Sequence, residues 1–115
     1  MNQFERGDIV RAHTPHTDLS QSSQHPALIV ADPMINASGD YVLIQITSSP
    51  YNSTSDYTLS ATDPEFAMTG LQNTSTFRCH KIFPLKESLV RKKFGEVGPN
   101  TMKEIEKRLR ALLCL

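Results

Sequence analysis

The stretch TDLSQSSQHPALIV, residues 17–30, decides the predicted fold. Its first part is mostly polar, residues 27–30 are all apolar, and His25 and Pro26 stand between the two. A short continuous apolar run predicts a buried strand, and proline is tolerated at the start of a strand. We therefore expect a histidine at the point where a polar loop enters a buried strand.

A second apolar run, VLIQI at residues 42–46, is also followed by polar side chains, those of Thr47, Ser48 and Ser49. Buried strands with reactive residues at their ends are a common way for a rigid scaffold to present chemistry at the edge of a sheet. The loops at residues 14–25 and 48–56 flank these two strand ends. The strand ends are therefore the first candidates for a functional site.

The rest of the pattern predicts a mainly β chain with one terminal helix. Strands are expected at residues 7–13, 57–59 and 76–83, a helical turn at 62–66, and a basic strand or helix at 89–95. Many short strands with one helix indicate a small, bent sheet or barrel. The helix is expected after Pro99, with Asn100 as its N-cap. Its apolar stripe, interpreted as core or dimer interface, is Met102, Ile105, Leu109, Leu112 and Leu113.

Length and composition limit the possible classes of protein. A chain of 115 residues fits one domain, residues 1–115, and no apolar stretch approaches the ~20 residues of a membrane span. Two distant cysteines, Cys79 and Cys114, without a secretory segment predict reduced thiols in the cytoplasm. We interpret Cys79 as a small strand residue rather than a nucleophile.

Charge is unevenly distributed although the formal net charge is zero. Residues 1–77 carry two basic and eight acidic side chains, whereas residues 78–115 carry ten basic and four acidic ones. The global charge therefore does not indicate a nucleic-acid partner. The basic half is either a solvated surface or a surface that meets an anionic ligand.

Taken in order, the segments TDLSQSSQHPALIV, QITSS and STFRCHKIF and the amphipathic terminal helix resemble the PemK/MazF toxins, endoribonucleases of type II toxin–antitoxin systems. The resemblance implies an SH3-like (PemK/CcdB-type) small barrel with a C-terminal amphipathic helix, and a homodimer. It also implies cleavage of single-stranded RNA without a metal or cofactor, inhibition by a cognate antitoxin, and contact with DNA only through that antitoxin.

The resemblance also assigns site residues. Thr47 and Ser48 match a Thr-Ser pair that donates hydrogen bonds to the scissile phosphate, and Arg78 matches an arginine that acts as acid or phosphorane clamp. His80 stands where some members have an aspartate proposed as base. Gln21 matches a loop glutamine near bound RNA. Further candidates for RNA contact are Ser20 and Lys81. Lys81 and the basic run at 91–93 are also explained as a solvated face of the protein. His13 and His16 are interpreted as surface residues near the same end of the sheet.

The chain departs from the family at His25, where most members have arginine. Arginine is a permanent cation with a planar fork of donors, whereas histidine is shorter and only partly charged near neutral pH. Two interpretations follow. The chain is a weakened nuclease, or His25 and His80 form an acid/base pair around Arg78.

Two other functions remain as alternatives. A degenerate member would bind RNA or an antitoxin without cutting. A CcdB-like gyrase poison would share the barrel, but such toxins act through a terminal helix with a Trp-containing motif. This chain has no Trp and ends in Leu113-Cys114-Leu115, which disfavours the gyrase poison.

Overall fold

The apolar runs form the central strands of one antiparallel sheet. The computed structural model describes residues 4–13, 24–31, 39–49 and 53–115. The sheet order is β4-β5-β3-β2-β1-β6, which puts β2 and β3 at its centre. The elements are β1 (Asp8–His13), β2 (Gln24–Ala31), β3 (Tyr41–Thr47), β4 (Asp56–Leu59), β5 (Ser75–Leu85), β6 (Val90–Glu96) and the helix α1 (Pro99–Leu112).

Each face of the sheet buries its own apolar cluster. Residues of β1, β2, β3, β5 and β6 meet on one face around Tyr41 and Leu43, and one cluster across five strands requires a curved sheet. On the opposite face, Met102 and Ile105 of α1 pack against Ile44 and neighbouring strand residues. The predicted mainly β, barrel-like fold with a terminal helix is confirmed, although β4 and β6 remain the edges of an open sheet in the described part of the chain.

Most predicted strands agree with the structure. The basic segment at 89–95, which the sequence left open, is strand β6, and β5 extends past the predicted end to Leu85. The helical turn predicted at 62–66 is wrong in its position. The Oδ1 atom of Asp63 accepts the Glu65 N–H at 2.8 Å to form a turn, and the 3₁₀ helix follows at Ala67–Thr69. Gly70 then ends this helix in a left-handed conformation, which glycine adopts readily.

The N-cap prediction for α1 is also wrong. Gly98 occupies the N-cap position and Pro99 the first turn, because a fixed proline φ suits the first helical residue. The carboxylate of Glu65 supplies the missing acceptor by binding the N–H groups of Asn100 at 3.1 Å and Thr101 at 2.7 Å. Of the predicted apolar stripe, Leu112 and Leu113 are exposed. Among the described residues, no helix combines the length and hydrophobicity that crossing a bilayer requires.

Candidate active site

A cavity of about 650 Å³ opens at the end of the sheet where β2 begins and β3 ends. Three predicted site residues, His25, Thr47 and Ser48, line it. Its other described lining residues come from β1, β2, β3, β5, β6 and the segment after Gly70, and none is acidic: Arg11, Pro26, Ile46, Ser49, Gly70, Leu71, Gln72, Asn73, Ser75, Lys92 and Phe94.

His25 and Thr47 lie at the same end of two neighbouring strands, His25 in β2 and Thr47 in β3. The β2–β3 ladder ends at the pair Ala27 and Gln45, and each of the two residues lies two positions beyond it on its own strand. Both line the same cavity, so the predicted histidine and the predicted phosphate-binding threonine belong to one site.

Among the described residues, the hydroxyl of Thr47 makes one hydrogen bond. Its Oγ1 accepts the N–H of Ser49 at 3.1 Å, which holds the turn that follows β3. Accepting this bond leaves the hydroxyl proton available for an acceptor outside the turn. Ser48 and Ser49 are exposed beside it. The strand end thus presents a hydroxyl donor at a fixed position.

Arg78 lies on the same face as Thr47 but outside the cavity. In the β3–β5 register Gln45 pairs with Arg78 and Thr47 with Thr76, so Arg78 is the diagonal neighbour of Thr47. Such neighbours are about 7–8 Å apart, which is within reach of a long side chain. We use the name polar strip for His25, Thr47, Gln45, Arg78 and His80, which follow one another diagonally across three strands.

Gln45 is a polar residue of the site that was not predicted, although a polar side chain inside the apolar run VLIQI is a visible signal. Gln45 is half-buried between Ala27 on one side and Arg78 on the other. An amide at this central position offers both a donor and an acceptor to the side chains around it. It therefore belongs to the polar strip.

His80 reaches its position through an irregularity of β5. Ile44 pairs with Ile82 and Gln45 with Arg78, so Cys79, His80 and Lys81 bulge out of the ladder. His25 and His80 are therefore at opposite ends of the polar strip, with Thr47 and Arg78 between them. Side chains extending from both ends can approach a group bound at the centre.

His80 also has a buried partner that the sequence did not reveal. Its Nδ1 lies 3.4 Å from Oδ1 of Asp56, whose side chain is 2% exposed, and 3.3 Å from Oγ of Ser55. Within the described residues neither carboxylate oxygen of Asp56 accepts a hydrogen bond. The residue follows a polar segment, so nothing in its local sequence predicts burial.

The cavity holds two cations that the sequence did not assign to the site. The guanidinium of Arg11 lies 5.8 Å from the ring centroid of Phe94, and Lys92 pairs with Arg11 across β1 and β6. Within the basic run, Lys93 contacts Asp8 at 3.2 Å, and the hydrogen bond to Asp8 raises the pKa of this lysine. Lys92 therefore lines the cavity, whereas its neighbour Lys93 is paired with Asp8.

One wall of the cavity depends on a glycine. Gly70 has φ +73°, and a Cβ atom there would clash with the backbone of Phe94. The chain can therefore pass close to β6 and carry Leu71, Gln72 and Asn73 into the wall beside Phe94. This wall combines an aromatic ring with two amides, which is a suitable surface for a planar heterocycle with polar edges.

The remaining site predictions have varied positions. Lys81 is exposed in the β5 bulge, and His13 is half-buried at the end of β1. Ser20, Gln21 and His16 lie outside the described residues.

Cys79 is fully buried, and burial raises the pKa of its thiol to about 11, in agreement with a structural role. Its thiol is therefore not a nucleophile at neutral pH. In the described part of the chain no three His, Cys, Asp or Glu side chains are grouped as metal ligands.

Comparison with known proteins identifies the family. A family model described as "PemK-like, MazF-like toxin of type II toxin-antitoxin system" matches residues 5–113. A search of curated protein sequences gave no match.

Solved structures support the same assignment of the fold. An endoribonuclease from a mycobacterial species is 25% identical over 100% of this chain and 95% of its own, with a TM-score of 0.72. Two structures of lower identity show the fold alone. A mycobacterial endoribonuclease in complex with its cognate antitoxin has 23% identity, coverage of 97% and 96%, and a TM-score of 0.73. MazF from Deinococcus radiodurans has 18% identity, coverage of 100% and 99%, and a TM-score of 0.71. The chain belongs to the PemK-like, MazF-like toxins of type II toxin–antitoxin systems.

Proposed function

We propose that this toxin is an endoribonuclease that cleaves single-stranded RNA by attack of a ribose 2′-OH on the adjacent phosphate, without a metal ion. The observation that carries the proposal is that His25 and Thr47 together line a cavity without acidic residues among its described lining. The family assignment and the endoribonuclease relatives support it.

The reaction needs a base, an acid and a clamp for the charged phosphorane. His80 accepts the proton of the 2′-OH as its oxygen forms a bond to phosphorus. His25 donates a proton to the 5′-oxygen as the bond between that oxygen and phosphorus breaks. Thr47, Ser48 and Arg78 bind the phosphate oxygens. The products are a 2′,3′-cyclic phosphate and a 5′-hydroxyl, and DNA is spared because it lacks the nucleophile.

We further propose that the cavity holds a nucleotide next to the scissile phosphate. Its volume of about 650 Å³ is in the range of small-molecule sites. Phe94 offers a surface for base stacking, and the amides of Gln72 and Asn73 can pair with base edges. Arg11 and Lys92 supply positive charge for the neighbouring phosphates.

The proposed partners are a second copy of the chain and a cognate antitoxin, and the proposed compartment is the cytoplasm. Leu112, Leu113 and Leu115 are 38%, 53% and 77% exposed at the end of α1, which supports association with another surface. The positive balance of residues 78–115 supports an acidic, disordered antitoxin segment as the inhibitor. The mycobacterial relative in complex with its antitoxin supports the same kind of partner.

Because His25 stands where the resemblance implies an arginine, the second candidate function is that of a family member that binds RNA without cutting it. Incubation of the pure protein with single-stranded RNA in EDTA, followed by mapping of fragment ends, separates the two. Discrete cuts with cyclic phosphate ends support the nuclease. Intact RNA with a measurable binding shift supports the binding protein, and cleavage that requires added metal overturns the mechanism.

A further inference from the structure

We propose that Asp56 is a positioning residue that orients the imidazole of His80 through Nδ1 and so leaves Nε2 free to accept a proton. The orientation is a property of the folded chain. Its consequence for RNA cleavage rests on the proposed function. The two residues come from neighbouring strands, with Asp56 at the start of β4 and His80 in the bulge of β5.

The burial of Asp56 calls for a donor. Its side chain is 2% exposed, and within the described residues neither carboxylate oxygen accepts a hydrogen bond. A buried carboxylate without compensating donors is strongly unfavourable. The Nδ1 atom of His80 lies 3.4 Å from Oδ1, in ionic contact with it.

The carboxylate dictates which ring nitrogen carries hydrogen. An ionised aspartate only accepts hydrogen bonds, so Nδ1 must be protonated to face it. Ser55 forms a hydrogen bond of 3.3 Å with the same nitrogen, but its hydroxyl can donate or accept, and it also bonds the hydroxyl of Ser53 at 3.0 Å. Ser55 is therefore compatible with either tautomer, whereas Asp56 is compatible with one.

The position of Asp56 is fixed from the opposite side. Nε of Arg108 in α1 donates to the backbone carbonyl of Asp56 at 3.0 Å, and its guanidinium lies 4.8 Å from the ring centroid of Tyr57. In the β4–β5 register Asp56 pairs with Arg78, two residues before His80. The carboxylate thus sits on the same face as the polar strip, held by the helix behind it.

In this arrangement a carboxylate can hold a histidine in one orientation, as carboxylates do for catalytic histidines in other enzymes. A hydrogen bond at one ring nitrogen sets the tautomer and leaves the other nitrogen available for proton transfer. Here Nδ1 faces Asp56, and the side chain of His80 as a whole is 34% exposed. The acceptor is therefore Nε2.

Long-range ¹⁵N–¹H correlation spectra of the histidine rings, recorded at pH about 8.5, above the ordinary histidine pKa of about 6.5, test the orientation directly. A His80→Ala variant identifies the signals of His80. We expect the Nδ1–H tautomer in the natural chain, its retention in Ser55→Ala, and a shift to the Nε2–H tautomer in Asp56→Ala and in Asp56→Asn. Retention of the Nδ1–H tautomer in both Asp56 variants, or a Nε2–H tautomer in the natural chain, overturns the proposal.

A double-mutant cycle on RNA cleavage tests the consequence. Asp56→Ala should lower the rate about 10–100-fold in the natural background and have no further effect in His80→Ala. An equal loss in both backgrounds shows that Asp56 does not act through His80 and overturns the positioning role. If the natural chain cleaves no RNA, the proposed function fails while the tautomer measurement still decides the orientation. Backbone amide spectra of each variant confirm that it is folded.

Discussion

His25 of β2 and Thr47 of β3 lie at the same end of the two central strands and line the same cavity. His25, where the resemblance implies an arginine, therefore shares the cavity with a hydroxyl that accepts the N–H of Ser49. Substitutions at these two positions should act on cleavage much more than on stability.

Exchanges at His25 distinguish proton transfer from fixed charge. His25→Ala should lower the cleavage rate about 100-fold or more, in the range for general acid–base groups. His25→Arg should give a rate between those of His25→Ala and the natural chain, because arginine donates hydrogen bonds but cannot release a proton. Single-turnover cleavage measures all three rates. An arginine variant as fast as the natural chain, or faster, would show that a permanent cation is what this position needs.

Removal of the Thr47 hydroxyl tests its role as a donor. Thr47→Val keeps the shape of the side chain and should lower the cleavage rate about 10–100-fold with little change in RNA binding. Thr47→Ser should retain most of the activity, since it keeps both the hydroxyl and the acceptor for Ser49. Thr58→Val, which removes a hydroxyl bonded to Thr76 at 3.0 Å, is the matched control. Equal losses in Thr47→Val and Thr58→Val would argue against the donor.

The cations of the cavity should contribute to the salt dependence of RNA binding. Arg11→Ala and Lys92→Ala should each weaken binding and reduce the slope of log K against log salt by about 0.7, the value for one phosphate of a single strand. Lys86→Ala removes an exposed lysine outside the lining of the cavity and serves as the control. Fluorescence anisotropy with a 2′-deoxy oligonucleotide measures binding without cleavage. Slopes that do not differ from that of Lys86→Ala would remove the cavity from the RNA site.

Glu65 should stabilise the start of α1 in a pH-dependent manner. Burial opposes ionisation of this carboxyl, but hydrogen bonds from Thr101 and Asn100 outweigh it and lower its pKa. A lowered pKa in the folded chain means that the contribution is present above the ordinary value of 4.5 and is lost as the pH falls through the folded value. Glu65→Ala should therefore cost about 1–2 kcal/mol at neutral pH and much less at about pH 3.

Thermal or urea unfolding of the natural chain and of Glu65→Ala at the two pH values measures this difference. Lys103→Ala, which removes an exposed side chain and no carboxylate from the same helix, is the control. A cost for Glu65→Ala that does not change with pH would contradict the capping role.

The sequence predicts those elements whose signal is local. The apolar runs at residues 27–30 and 42–46 were predictable because strands that are buried on both faces have apolar side chains at nearly every position. They form the central strands β2 and β3. The basic segment at 89–95 stayed ambiguous because its side chains are mostly exposed and leave a weak pattern. The cap of α1 comes from Glu65, 35 residues before Asn100, and no local rule finds such a partner.

The site residues likewise divide into those that the sequence indicates and those that only the tertiary structure reveals. The resemblance points to His25, Thr47 and Arg78, and strand register then explains why they share a face. The burial of Asp56 and its contact with His80 depend on a bulge in β5 and on Arg108 of α1. Both are products of tertiary structure, so the partner of His80 could not be found from the sequence.

In the proposed mechanism the ribose 2′-OH is the nucleophile. The most direct measurement compares an RNA oligonucleotide that the protein cuts with the same oligonucleotide carrying one 2′-deoxy nucleotide on the 5′ side of the cut, both in EDTA. We expect the RNA to be cut to a 2′,3′-cyclic phosphate and a 5′-hydroxyl, and the substituted strand to bind but stay intact at that position. Cleavage of the 2′-deoxy strand at the same bond would contradict the mechanism.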